Sequence, residues 1–198
     1  MKWIERGLLL LGVLCIGGSA AVRLEAAHYQ RGMQHHLDVL LSRRAAGDTI
    51  ADANRPAVAG DWDDRSALVG RIEIPRLGLD AVVAEGVDRG TLRRAVGHLP
   101  GTALPGAPGR TVLAGHRDTF FRPLEAVRAG DRLRMTTLEG RFDYEVDEVL
   151  VVEPDRVDLV APSAAPTLTL VTCYPFHYIG PAPRRFIVNA RFSATPSS

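Results

Sequence analysis

Three side chains suited to covalent chemistry occur at predicted strand ends. Cys173 ends an apolar, β-branched run, and the tyrosine and proline that follow it stop the strand. His116 lies just after a second such run, and Arg184 and Arg185 begin a third. A thiol, an imidazole and a guanidinium are the parts of an acyl-transfer site. A lone cysteine is more often a small buried apolar residue, so the prediction depends on all three groups occurring together.

The thiol needs a partner that favours its ionised form. A free cysteine has a pKa near ~8.5 and is mostly protonated at neutral pH. His116 is the predicted partner of Cys173 because the apolar strand before it can hold it in place. His98 competes, but a loop rich in glycine and proline is predicted around it. His177 follows the thiol closely and is predicted to be a substrate-side or surface residue.

A tetrahedral oxyanion forms during acyl transfer and needs hydrogen-bond donors aimed at it. Arginine suits this role because it stays charged and its donors are rigid. Arg184 and Arg185 are adjacent, so in a strand they face opposite sides and only one can face Cys173. Asp118 could orient His116, or it could cap the turn that follows.

Three segments resemble the sortase family, the membrane-anchored cysteine transpeptidases of bacterial cell surfaces. They are the TLVTC sequence of residues 169–173, the GHRDT sequence of residues 115–119, and the arginine before the apolar triplet 186–188. The similarity spans roughly residues 68–192 and is greatest to class D-like sortases, including those of Gram-negative bacteria. It implies an eight-stranded β-barrel with three catalytic residues, namely Cys173, His116 and Arg185.

The resemblance also implies a reaction. Cys173 would attack the threonine carbonyl of an LPxTG-like sorting signal in a secreted protein, and an amine on the cell envelope would resolve the thioacyl intermediate. His116 would protonate the departing amine and later deprotonate the incoming one. Thr172, Asp118 and Tyr174 are the predicted substrate-binding residues, and the loop of residues 174–183 is predicted to select the signal. No metal or cofactor is expected.

Composition restricts the alternatives. The 198 residues suit one domain with an appendage, and the net charge of +1 comes without a basic block that would bind nucleic acid. Of the two cysteines, Cys15 lies in an apolar N-terminal run and Cys173 in the distal motif, so a disulfide between them is not expected.

The N-terminal segment is predicted to be a membrane anchor. Residues 7–22 form an uncharged run of 16 residues, flanked by Lys2, Arg6 and Arg23. This is somewhat short of the ~20 residues of a spanning helix, but flanking arginines can snorkel. Cleavage as a signal peptide stays open, because the small residues 19–21 suit a cleavage site. The positive-inside rule puts the rest of the chain outside the cytoplasm, making the protein single-pass.

The predicted organisation is mainly β. It comprises an anchor over residues 1–23, a helical stalk and linker over 24–65, a catalytic domain over 66–193 and a tail over 194–198. The stalk helix is expected to be solvated. Short alternating runs separated by turns predict a closed barrel with short helices, including a hairpin turn at Glu139-Gly140 and a helical segment over 123–129. Residues 91–109 are predicted to be a loop.

Other classes fit less well. Papain-like peptidases have a different cysteine context, and in L,D-transpeptidases the cysteine follows a His-Gly pair. A non-catalytic, membrane-tethered barrel scaffold explains the anchor and the strands, but it does not explain the three reactive groups at strand ends.

Overall fold

Eight strands form the body of the molecule. The structure is a computed structural model that describes residues 2–46, 68–156, 161 and 163–193. The strands are β1 (Leu68–Ile74), β2 (Leu79–Glu85), β3 (Val96–His98), β4 (Arg110–Ala114), β5 (Arg132–Thr136), β6 (Arg141–Val152), β7 (Thr167–Tyr174) and β8 (Arg184–Phe192). They close into a barrel in the order β1-β2-β3-β4-β7-β8-β6-β5. The predicted closed eight-stranded β-barrel is therefore confirmed.

The pairing pattern places the cysteine strand between two others. β7 runs parallel to β4 on one side and antiparallel to β8 on the other. The pair β2–β3 is also parallel, and the remaining pairs are antiparallel. Alternate side chains such as Leu168 and Leu170 of β7 point into the barrel and are fully buried. Apolar burial in the barrel thus fixes the face of every neighbouring residue on the strand.

The segment of residues 91–109 differs from its prediction as a loop. It begins within a short helix, α2 (Arg89–Arg94), and continues into β3. Asp88 caps the helix, since its carboxylate accepts hydrogen bonds from the backbone of Gly90 at 2.8 Å and Thr91 at 3.2 Å. β3 is held by pairing with both β2 and β4. Three residues are too few for a periodic signal, so only tertiary pairing defines this strand.

The short 3₁₀ helices and turns are determined by the residues within them. Pro75–Leu77 forms a 3₁₀ helix, and Gly78 has the left-handed φ of 62°, after which β2 begins at Leu79. Arg122–Ala126 is a 3₁₀ helix, shorter than the predicted helical segment. The β5–β6 hairpin is confirmed, with the Thr137 N–H donating to the Gly140 carbonyl at 2.9 Å.

The N-terminal helix α1 runs from Lys2 to Ala45. Its second half lies against the barrel, where Tyr29 and Leu37 are 4% and 1% exposed. Gln30 joins two elements, donating to the Arg94 carbonyl at 2.7 Å and accepting from the Val82 N–H at 2.8 Å. The prediction of a solvated helix is wrong for this face, because a narrow apolar stripe of α1 packs on α2 and β2.

Three predicted segments lie outside the barrel, namely the membrane anchor, the linker and the C-terminal tail. Across the part of the chain that the structure describes, no helix combines the length and apolar content needed to cross a membrane. The predicted linker beyond residue 46 and the tail over residues 194–198 lie outside the described residues.

Candidate active site

Strand register places two of the three predicted catalytic residues on one face of the sheet. Cys173 pairs with Arg185 across β7 and β8, and paired residues share a face. On the other side of β7, the parallel register of β4 ends with Ala114 opposite Val171. His116 lies two residues beyond that end, in the turn that leaves the sheet next to β7. Its approach to Cys173 stays a prediction.

The turn after β4 is held by contacts to β7. The Thr172 hydroxyl, in a residue that is 3% exposed, donates to the Gly115 carbonyl at 2.7 Å. The Gly115 N–H donates in turn to the Val171 carbonyl at 3.2 Å. A Cβ at position 115 would lie 2.7 Å from the buried ring of Phe121. Glycine is required at this position. These contacts fix the start of the turn that carries His116 (residues 115–121, the histidine turn) relative to β7, the strand that carries Cys173.

The three reactive side chains remain open to substrate. His116 is exposed, while Cys173 and Arg185 are half-buried. Cys173 is a free thiol. Arg185 Nη1 donates to the Arg184 carbonyl at 3.1 Å and to the Ala182 carbonyl at 3.4 Å. These contacts hold the guanidinium near the start of β8, and among the residues that the structure describes it forms no ion pair that would compete with an oxyanion.

The register also distinguishes the two arginines. Arg184 pairs with Tyr174 rather than with Cys173, and so occupies the alternate face. Its Nε lies 3.3 Å from Glu153 Oε1 in an exposed ion pair. Arg185 is therefore the arginine that faces the thiol, as the sortase resemblance implies.

The predicted substrate-binding residues occupy three different environments. Thr172 is buried, and its hydroxyl donates a hydrogen bond to the Gly115 carbonyl. Tyr174 stacks on Phe186 with ring centroids 6.0 Å apart, on the face opposite Cys173. Asp118 is exposed on the histidine turn, and no hydrogen bond joins it to His116 in the described coordinates. Their contact with substrate stays a prediction, and Thr172 has a visible role in holding the turn.

His98 has a structural environment rather than a catalytic one. It is 2% exposed, with Nδ1 at 2.6 Å from Glu85 Oε2. Its Nε2 lies 3.0 Å from the Thr102 hydroxyl and 3.1 Å from the Ala103 carbonyl. Both ring nitrogens are therefore occupied, and the residue ties β3 to β2 and to the loop that follows.

Replacing His98 by alanine is expected to lower the free energy of unfolding by about 2–4 kcal/mol, because it leaves a cavity and buried polar groups without partners. Urea denaturation measures this. His35→Ala, at an exposed site on α1, is the matched control and should change stability by less than ~0.5 kcal/mol. Equal stabilities of the two variants would contradict the structural role of His98.

Within the described part of the chain, no group of three or more histidine, cysteine, aspartate or glutamate side chains converges as metal ligands would.

Arg117 was missed by sequence reasoning. Its Nη2 donates to the carbonyls of Tyr178 at 2.8 Å and Gly180 at 3.0 Å, across the gap between the histidine turn and the loop that joins β7 to β8. The only sequence signal is its position directly after His116. The contacts arise from tertiary structure, since 61 and 63 residues separate these partners.

The described structure is a closed eight-stranded barrel that carries Cys173 and Arg185 at paired positions of β7 and β8. The sortase domain model matches residues 72–193, and the chain belongs to the sortase family. Sortase D of Bacillus subtilis (strain 168) is 38% identical over 120 residues, which are 60% of this chain and 61% of that protein. The chain spans between 51% and 61% of the length of four curated sortases.

Solved structures show the same relationship. A sortase D5 transpeptidase of Clostridium perfringens superposes with a TM-score of 0.58 at 32% identity, covering 63% of this chain and 78% of that one. Sortase C-1 of Actinomyces oris gives a TM-score of 0.61 at 31% identity, covering 68% of this chain and 77% of that one.

Proposed function

We propose that this protein is a cysteine transpeptidase that cleaves an LPxTG-like sorting signal and transfers the acyl group to an amine of the cell envelope. The observation that supports the proposal is the register of β7 and β8, which pairs Cys173 with Arg185, together with the hydrogen bonds that hold Gly115, the residue before His116, against β7. Membership of the sortase family supports the same reaction class.

The proposed reaction has two acyl-transfer steps. In the first, the Cys173 sulfur bonds to the threonine carbonyl carbon, and the peptide C–N bond breaks as His116 gives a proton to the departing amine. In the second, an acceptor amine forms the new amide bond and the C–S bond breaks. His116 takes the proton from that amine, and the thiolate returns.

Arg185 is proposed to stabilise the tetrahedral intermediates that form in both steps. The carbonyl oxygen gains negative charge when Sγ attacks, and a fixed guanidinium donor lowers the barrier by binding that charge. Its position opposite Cys173 and its partial burial favour this role, because donors are more effective where water is reduced.

Replacing Arg185 by alanine is expected to lower kcat/KM for transfer by about 100- to 1,000-fold, the usual effect of removing an oxyanion donor. Arg184→Ala provides a matched control, because it removes the same side chain one residue away on the alternate face. It should stay within a few-fold of wild type. A larger loss in the Arg184 variant would reverse the assignment.

The proposed location is the cytoplasmic membrane, with one N-terminal span and the catalytic domain outside the cytoplasm. The support is the uncharged run of residues 7–22 between basic residues. Client proteins carrying a C-terminal sorting signal would be the partners. Tethering enzyme and client in one membrane plane would raise their effective concentration without new contacts.

The loop over residues 174–183 is proposed to select the signal. It connects the strand that carries Cys173 to the strand that carries Arg185, so it borders both reacting groups. Ile179 on this loop is 98% exposed and Tyr178 is 46% exposed, which leaves apolar surface beside the site for a peptide.

The experiment that tests the proposal is intact mass measurement of the full chain in detergent with a panel of LPxTG-like peptides and glycine amide. A thioacyl adduct, followed by a product with glycine amide attached, is the expected result. No adduct with any peptide, together with a Cys173 thiol that is alkylated only after denaturation, would support the non-catalytic scaffold instead.

A further inference from the structure

The 175–183 loop is anchored in the core only near its start. Phe176 is 5% exposed and packs against Phe186, with ring centroids 5.1 Å apart. Tyr178 and Ile179, further along, are 46% and 98% exposed. A segment with little buried apolar surface opens at a small free-energy cost unless polar contacts hold it. Beyond Phe176, Arg117 and Glu125 make such contacts with this loop.

Arg117 engages the loop at three points. Its Nη2 donates to the carbonyls of Tyr178 and Gly180 at 2.8 and 3.0 Å, and its guanidinium carbon lies 5.8 Å from the centroid of the Tyr178 ring. A planar guanidinium can donate in its plane and face an aromatic ring at the same time. The side chain therefore fixes both the backbone and a side chain of the loop.

A second contact joins the loop to the 3₁₀ helix that follows the histidine turn. His177 Nε2 is 3.0 Å from Glu125 Oε1, with the two side chains 63% and 47% exposed. Exposed ion pairs contribute little, so this tie is the weaker one. It shows that the loop meets the histidine turn and the following 3₁₀ helix along its length.

The closed loop carries one compensating penalty. Nη1 of Arg117 is buried and lacks a hydrogen-bond partner among the residues described. Opening the loop would return this donor to water, which offsets part of what the two carbonyl bonds contribute. Loss of Arg117 should therefore change how often the loop opens.

We propose that Arg117 is a positioning residue that holds the 175–183 loop against the turn carrying His116, and so favours a positioned acceptor amine over water at the thioacyl intermediate. This inference rests on the proposed transpeptidase function. Arg117 follows His116 directly, and the loop begins beyond Cys173 and returns at Arg185. The tie therefore lies on the histidine side of the site, where the amine leaves and enters.

Either of two nucleophiles, an amine or water, can resolve the thioacyl intermediate. An amine nitrogen can displace the sulfur from the acyl carbon, giving an amide and the free thiol after His116 takes the amine proton. A water oxygen can do the same, giving a carboxylic acid and the free thiol. A loop held in one position gives the acceptor amine a fixed surface beside the acyl carbon, which favours the positioned amine over freely diffusing water.

The test uses the full chain in detergent with an LPxTG-like peptide that forms the adduct, and glycine amide. The ratio of hydrolysed to transferred product is expected to rise roughly tenfold in Arg117→Ala, with a smaller fall in the rate of adduct formation. Hydrogen–deuterium exchange without substrate should show faster uptake in residues 175–183. Glu125→Gln should shift both readouts in the same direction by less.

Two further variants separate the alternatives. Arg122→Ala removes an exposed arginine of the neighbouring 3₁₀ helix and should behave as wild type. Arg117→Lys keeps the charge beside His116 but loses the planar donor pair and the ring contact, so it should resemble Arg117→Ala. Full recovery in Arg117→Lys would point to an electrostatic effect on His116 and overturn the positioning role.

The outcomes also separate this inference from the proposed function. A wild-type chain that forms no thioacyl adduct overturns the transpeptidase assignment. An adduct in wild type, with unchanged product ratio and unchanged deuterium uptake in Arg117→Ala, overturns the role of Arg117 alone.

Discussion

Cys173→Ala is expected to lower the rate of sorting-signal cleavage by at least about 10,000-fold and to abolish the thioacyl adduct, because the variant has no atom that can form the covalent bond. The variant should fold normally. Cys173 is half-buried near the end of β7, and removing one sulfur there leaves the inward-facing residues of that strand in place.

The chain provides its own matched control for this experiment. Cys15 is the other cysteine, and Cys15→Ala should form the adduct at the wild-type rate. Incubation with an LPxTG-like peptide followed by intact mass and peptide mapping locates the modified sulfur. An adduct that persists in Cys173→Ala would show that the nucleophile has been assigned to the wrong residue.

His116→Ala is expected to lower kcat/KM for transfer by about 100- to 10,000-fold, the usual range for loss of a positioned acid and base. Both steps should slow, because the same imidazole protonates the departing amine and deprotonates the incoming one. Pre-steady-state measurement of adduct formation and of adduct resolution by glycine amide reports the two steps separately.

The expected effects of His116→Ala and His35→Ala depend on where each imidazole lies in the structure. His116 is exposed at the end of a fixed turn, so its replacement should leave the melting temperature nearly unchanged. His35→Ala, at another exposed position, controls for the substitution itself and should keep full activity. If both steps kept their rates in His116→Ala, the imidazole would have no part in the mechanism. The proposed position of His116 at the active site would then be wrong.

Much of the barrel follows from local sequence. The run that ends at Cys173 alternates inward and outward residues with the period of a strand, and Glu139-Gly140 marks a hairpin turn. The reactive residues were recognisable for the same reason, since each lies where such a run starts or stops. Motif resemblance to sortases then identified the family that the comparisons confirm.

Other features depend on residues distant in sequence. β3 has three residues and exists because β2 and β4 pair with it on either side. The placement of Tyr29 and Leu37 against the barrel could not be predicted from a narrow stripe on a mostly polar helix. In both cases the partner surface, which the local pattern does not contain, decides the outcome.

The sequence by itself determined most of the strands, the candidate reactive side chains and the family. The tertiary structure added that Arg185, and not Arg184, pairs with Cys173, and that His98 is buried with both ring nitrogens in contact with polar atoms. It also placed Arg117 against a loop 61 residues away. The physical reason is that periodicity assigns a residue to a face of its own strand, whereas contact between groups requires the pairing of separate strands and loops.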